Sequence, residues 1–156
     1  MAVRPPAAVR AQLAAALGRP VDRRWHLTLA FLGERPDAAP LTEALTAVGR
    51  RHAPLALGLA GGGTFGRRVL WTGLSGDLSA LTALAQDVRD ALGVVEERPF
   101  RPHLTLARGN GLVVPAGLRG FASSGWEATE VELVRSHLGR TAEHEVLHRA
   151  PLAAQV

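Results

Sequence analysis

The sequence predicts an α+β fold of two pseudo-symmetric lobes of antiparallel sheet, with helices on the outer faces and a cleft between the lobes. Three observations lead there. The pentapeptide His-Leu-Thr-Leu-Ala occurs twice, at His26 to Ala30 and at His103 to Ala107. Each copy follows a segment of helical apolar spacing across a short polar connector that carries arginine. Much of the rest alternates apolar and polar residues with the period of a strand. Together these describe a weak internal duplication in which one copy of the motif faces the other.

The elements follow in order. Pro5 and Pro6 stand where a helix begins and Gly18 just past its end, with Val9, Leu13, Ala16 and Leu17 on one face. Residues 19–24 form a polar connector. Residues 25–31 read as a strand, with Leu27, Leu29 and Phe31 on one side and His26, Thr28 and Ala30 on the other. Asp37 caps a second helix that buries Leu41, Ala44, Leu45 and Val48 and ends near Arg51. Residues 54–60 read as a strand, Gly61-Gly62-Gly63 as a loop, and Val69 to Leu74 as a further strand. Asp77 or Ser79 opens a third helix, with Leu78, Leu81, Leu84, Ala85, Val88 and Leu92 inward. The second motif strand comes next. Alternation through Val131, Leu133 and Arg135, and again near Val146, gives two antiparallel strands at the end.

At 156 residues and 47% hydrophobic, the chain suits one well-cored domain, residues 1–156. It lacks an apolar run of about 18 residues, so no membrane span is expected. The basic, Ala-rich start through Leu17 is interrupted by Arg10 and Gln12 and reads as part of the fold, with the protein in the cytoplasm. Cysteine is absent, which removes disulfides, thiolate metal sites and a thiol nucleophile. Lysine is absent too: all 18 basic residues are arginine. That excludes a P-loop lysine, a Schiff-base lysine and a lysine carrying a nucleotide covalently. The net charge of +4 favours an anionic partner, and arginine's planar fork suits phosphate.

Within a strand, residues i and i+2 share a face, so each motif presents an imidazole beside a hydroxyl while its leucines anchor the strand. Cleaving a phosphodiester needs a base for the attacking oxygen and an acid for the leaving one. Histidine titrates near neutrality and serves in either role, each contributing on the order of 10²–10⁴ in rate. Two hydroxyls flanking the phosphorus can hold the oxygens on which charge accumulates. His26, Thr28, His103 and Thr105 are therefore the candidate catalytic residues.

The stretches Trp25 to Gly33 and Pro99 to Arg108 resemble the two signatures of the 2H phosphoesterase superfamily. Within it they are most similar to the bacterial RNA 2′,3′-cyclic phosphodiesterases, also called 2′-5′ RNA ligases. Gly63-Thr64-Phe65 with Arg68 to Trp71 resembles the family's central stretch, and Ser136 with Pro151-Leu152 its end. The resemblance implies that His26 protonates the departing 3′ oxygen, that His103 activates water, and that Thr28 and Thr105 hold phosphate. It implies opening of a 2′,3′-cyclic phosphate on RNA or a nucleotide to a 2′-phosphomonoester by a monomer, with no cofactor and no metal. Ligation would be the same chemistry reversed. Arg108 and Arg101 are the candidate phosphate-binding arginines; Arg67, Arg68 and Arg140 are weaker ones. In two places the chain departs from the family pattern. The opening Met1 to Pro5 resembles only the tail of the family's first strand, so either the given start falls late or that strand is shortened, leaving a sheet edge short of residues. His144 stands where the family often has tyrosine.

The same residues allow other readings. His144-Glu145-Val146-Leu147-His148 spells the H-E-x-x-H zinc motif, which needs a helix and usually a third ligand. The flanks read instead as a terminal strand, and Pro151 follows closely. His52 stands at a helix C-terminus, which suits a structural imidazole; His137 has no evident partner. A non-catalytic nucleotide- or RNA-binding module on the same fold is a second class of function. A third keeps the chemistry on a small substrate such as ADP-ribose 1″,2″-cyclic phosphate or a 2′-5′ oligonucleotide.

Overall fold

The computed structural model describes residues 1–35, 37–137 and 143–153. Among the described residues eight strands join in one sheet, in the order β6-β3-β4-β5-β2-β1-β7-β8, with antiparallel pairing throughout. The strands are β1 (Ala2–Val3), β2 (Leu27–Thr28), β3 (Leu55–Phe65), β4 (Val69–Gly76), β5 (Leu104–Arg108), β6 (Trp126–Ala128), β7 (Glu130–His137) and β8 (Glu143–Pro151). The helices are α1 (Ala7–Leu17), α2 (Ala39–Arg50), α3 (Leu78–Ala91) and the single turn α4 (Ala116–Arg119).

The duplication expected from the motifs is present in the connectivity. β1-α1-β2 and β4-α3-β5 are each a strand, a helix and a return strand beside the first. The strand order reads the same from either end in these roles, and the halves meet at β2 and β5. Each helix packs beneath the opposite half. Val9 and Leu13 of α1 join Leu59, Leu70 and Leu104. Leu81, Leu84 and Val88 of α3, with Leu45 and Val48 of α2, join Val3, Leu27 and Val131. The leucines of both motifs thus face the helices.

Sequence chemistry sets the helix ends. The Gly18 φ of 65° provides the left-handed turn that stops α1. There the Arg19 and Gly18 amides donate back to the Ala14 and Ala15 carbonyls at 3.2 and 3.3 Å. Asp37 accepts from the Ala39 amide at 3.0 Å, at the start of α2.

Two expectations need correction. The first motif strand is paired only at Leu27–Thr28 and not over residues 25–31. Gly61-Gly62-Gly63 is not a loop: it lies inside β3, with a bulge between Ala60 and Gly62. The cause is close packing. A Cβ on Gly62 would stand 2.4 Å from Leu118 of α4, and one on Gly63 would stand 2.7 Å from the Trp71 ring.

Candidate active site

The sheet brings the two motifs side by side. Leu27 pairs with Leu104, 2% and 0% exposed respectively. Carrying that antiparallel register one residue each way sets His26 beside Thr105 and Thr28 beside His103. An approximate two-fold axis therefore runs between the leucines. Both imidazoles and both hydroxyls stand half-buried on the face away from the helices.

Each histidine is held in the same way. His26 Nδ1 lies 2.6 Å from the Arg24 carbonyl oxygen, and His103 Nδ1 lies 2.7 Å from that of Arg101. A carbonyl can only accept, so Nδ1 carries the hydrogen in both rings and donates it. Nε2 is thereby left to the reacting groups, with the tautomer fixed by the backbone. Arg101 was expected at phosphate through its side chain. The contact seen is through its carbonyl, while its side chain is exposed. Arg24, the equivalent residue in the first half, was not anticipated, although an arginine two residues before each histidine was visible in the sequence.

The sheet also carries Arg108 to this face. Strict alternation from Thr105 would put position 108 with the leucines. However, the β4–β5 register passes from Trp71↔Thr105 to Leu70↔Ala107, leaving Leu106 as the extra residue of a bulge. Val69, on the same side of β4 as Trp71, then pairs with Arg108. The guanidinium therefore emerges on the side of His103 and Thr105. Arg67 and Arg68 are exposed at the β3–β4 turn, and Arg140 lies outside the described residues.

A second ring braces each histidine. Phe65 meets His103 edge-on, with centroids 5.1 Å apart and planes at 87°, and stacks on Trp71 at 5.2 Å. His144 meets His26 at 5.0 Å and 60°. Neither bracing residue had been assigned a role. Their sequence neighbours give no sign of the contact, because both approach from other strands.

Burial pushes the His26 pKa down to about 4, against the pull of the Arg24 carbonyl; His144, the N-terminal ammonium and Arg4 add smaller pushes the same way. A cleft of about 760 Å³ touches this half at His26 and Thr28. It runs on from β1 between two strand edges, since the register of Ala2 with Thr28 and Glu132 leads to Ala30 and Val134.

The H-E-x-x-H segment lies in β8, as the flanks indicated. A bulge at Leu147 turns its two histidines to opposite faces: His144 pairs with Ser136, and His148 with Leu133. His148 Nε2 lies 2.8 Å from the Thr46 hydroxyl of α2, so the two imidazoles do not converge as a metal pair. His52 Nε2 lies 2.7 Å from the Asp87 carboxylate, a hydrogen bond between helix ends away from the motifs. Among the described residues, no group of three or more His, Cys, Asp or Glu side chains is placed to hold a metal ion.

These features define a class of protein: a duplicated antiparallel sheet that sets two backbone-oriented histidines and two threonines about a two-fold axis. The sequence pattern of the 2′-5′ RNA ligase superfamily matches residues 3–145, and the chain belongs to that family. It is 40% identical over 146 residues to an RNA 2′,3′-cyclic phosphodiesterase of Geobacillus stearothermophilus, covering 84% of this chain and 46% of that protein. The Escherichia coli protein of that name is 35% identical over 129 residues, covering 79% of this chain and 73% of its own. The chain thus spans about half the length of the first curated relatives it matches. The crystal structure of Escherichia coli LigT complexed with 3′-AMP superposes with a TM-score of 0.80 at 31% identity, covering 97% of this chain and 95% of that one.

Proposed function

We propose that this chain hydrolyses 2′,3′-cyclic phosphate ends of RNA to 2′-phosphomonoesters by acid–base catalysis between His103 and His26. The observation that carries this reading is the pair of imidazoles related across Leu27↔Leu104, each with Nδ1 tied to a carbonyl and Nε2 left for proton transfer. In the forward direction, His103 Nε2 takes a proton from water as the water oxygen bonds to phosphorus. The bond from phosphorus to the 3′ oxygen breaks, and His26 Nε2 gives that oxygen its proton. One water is consumed, and a 3′-hydroxyl and a 2′-phosphate result. Thr28, Thr105 and Arg108 hold the non-bridging oxygens, where negative charge accumulates. A 5′-hydroxyl in place of water, taken through the same steps, forms a 2′-5′ phosphodiester and a 3′-hydroxyl, which is ligation; the reverse of those steps cleaves that linkage.

His26 sets a requirement on this scheme. Burial keeps it neutral at neutral pH in the free chain, whereas an acid must carry a proton. The anionic phosphodiester supplies the missing negative charge, so proton uptake at His26 accompanies substrate binding. The family names and the 3′-AMP bound by Escherichia coli LigT support a nucleotide substrate. The reading includes a monomer of one domain acting in the cytoplasm without metal or cofactor. Among the described residues, no helix is long and apolar enough to cross a membrane.

The test is RNA ending in a 2′,3′-cyclic phosphate, incubated with and without EDTA, with the wild type and with His26→Ala and His103→Ala. EDTA-resistant conversion to the 2′-phosphate is expected, and either substitution should cost orders of magnitude. Activity surviving both substitutions would overturn the mechanism. Binding of RNA ends without turnover at any pH would identify a non-catalytic module.

A further inference from the structure

Three imidazoles, not two, stand on the reactive face. His144 lies on β8 opposite Ser136 and packs its ring against that of His26 at 5.0 Å. Among the described residues its Nδ1 is buried without a partner, and no hydrogen bond is made by its Nε2. A buried N–H without an acceptor is rarer and costlier than a buried bare acceptor. The ring proton therefore belongs on Nε2, at the open face. Its own burial, then Arg24 and Arg4, oppose a second proton, while Asp22 favours one weakly. His144 is thus a neutral ring that offers a single donor beside His26.

We propose that His144 is a substrate-binding residue whose Nε2–H donates to a phosphate oxygen on the His26 side of the reacting centre. This rests on the hydrolase reading of the site and adds a specific contact to it. Phe65 holds the corresponding place against His103 and has no donor, so the two sides of the phosphate are bound unequally. On the His103 side, Arg108 supplies the donor; on the His26 side, His144 does.

Steady-state kinetics on adenosine 2′,3′-cyclic phosphate test this with His144→Phe, which keeps a ring and removes the donor, and His144→Gln, which keeps a donor. His144→Phe should raise KM about tenfold, the loss of one hydrogen bond to a charged group, and change kcat by less than about threefold. His144→Gln should recover most of that KM. An unchanged KM in His144→Phe would overturn the proposal. So would a loss confined to kcat, which marks a brace for His26 instead. A titration of the wild type with adenosine 2′-phosphate, followed by the ¹⁵N resonances of His144, covers the case of an unfolded variant. Nε2 should shift on binding; an unmoved Nε2 at saturation overturns the proposal. Failure of the hydrolase reading would show separately, as wild-type protein that leaves the cyclic nucleotide intact.

Discussion

The two halves of the site share a backbone plan and differ in what surrounds it. Around His103 the neighbours are aromatic: Phe65 edge-on, Trp71 stacked behind it, and Gly63 making room for the Trp71 ring. Around His26 they are titratable or cationic: His144 in ring contact, with Arg4 and the N-terminal ammonium close enough to oppose its protonation. Equivalent carbonyls orient both rings. Duplication thus fixed the geometry of the pair, while residues from other strands made the halves electrostatically unequal. In the free chain that inequality opposes the proton an acid at His26 must carry, so the anionic substrate has to offset it.

The largest expected effect tests whether both halves are needed. His26→Ala and His103→Ala should each lower kcat by about 10²–10⁴-fold, and the double variant should fall well short of the product of the two losses because the pair acts as a unit. Single-turnover rates on a cyclic-phosphate RNA measure this. A loss confined to one histidine would break the symmetry.

The next effect separates the halves by pH. The folded-state pKa of His26 is depressed to about 4 from the ordinary 6.5. The unfolded chain therefore takes up a proton there before the folded chain does. The associated stability is fully present above about pH 6.5 and is lost as the pH falls toward 4, amounting to about 3 kcal/mol. Urea unfolding at pH 7 and pH 4.5 should show that decline, and His26→Gln should flatten much of it. An undiminished slope in that variant would remove His26 as its origin.

Smaller effects follow from the hydroxyls and the aromatic wall. Thr28→Val and Thr105→Val should each lower kcat/KM about 10-fold to 100-fold, the range for a hydrogen bond to a charged group. Losses of similar size would show that the two-fold relation extends to phosphate binding. Gly63→Ala forces a methyl against Trp71 and should cost about 1–3 kcal/mol of stability. Through Phe65, it should disturb the His103 half before the His26 half, visible as imidazole shifts in NMR spectra.

What the sequence revealed follows from the range of the interactions involved. The motifs were legible because side-chain alternation is a property of neighbouring residues, and His, Thr and Leu each declare a face. The stop at Gly18 and the buried face of α3, with Leu81, Leu84, Ala85 and Val88, were legible for the same reason. The Gly61–Gly63 run misled because its cause is not local: Leu118 and Trp71 press on it from elsewhere in the chain. β6 and α4 are three and four residues long, too short to show periodicity. Phe65 and His144 reach the two motif imidazoles only through β3–β4–β5 pairing and the return of β8, contacts that no window of adjacent residues contains.

The bulge at Leu106 has a consequence for how a change of pairing acts on this site. It works as a frame between Thr105 and Arg108, with the extra residue deciding which side of the sheet everything after it displays. Were the same residues paired without the bulge, Leu106 would stand opposite Leu70 and Arg108 would fall on the leucine side, with His103 and Thr105 unmoved. Loss of the candidate anion ligand would then be invisible to any search for the motifs alone. A change of pairing that keeps every letter of the motif is the quietest way to disarm this half of the molecule.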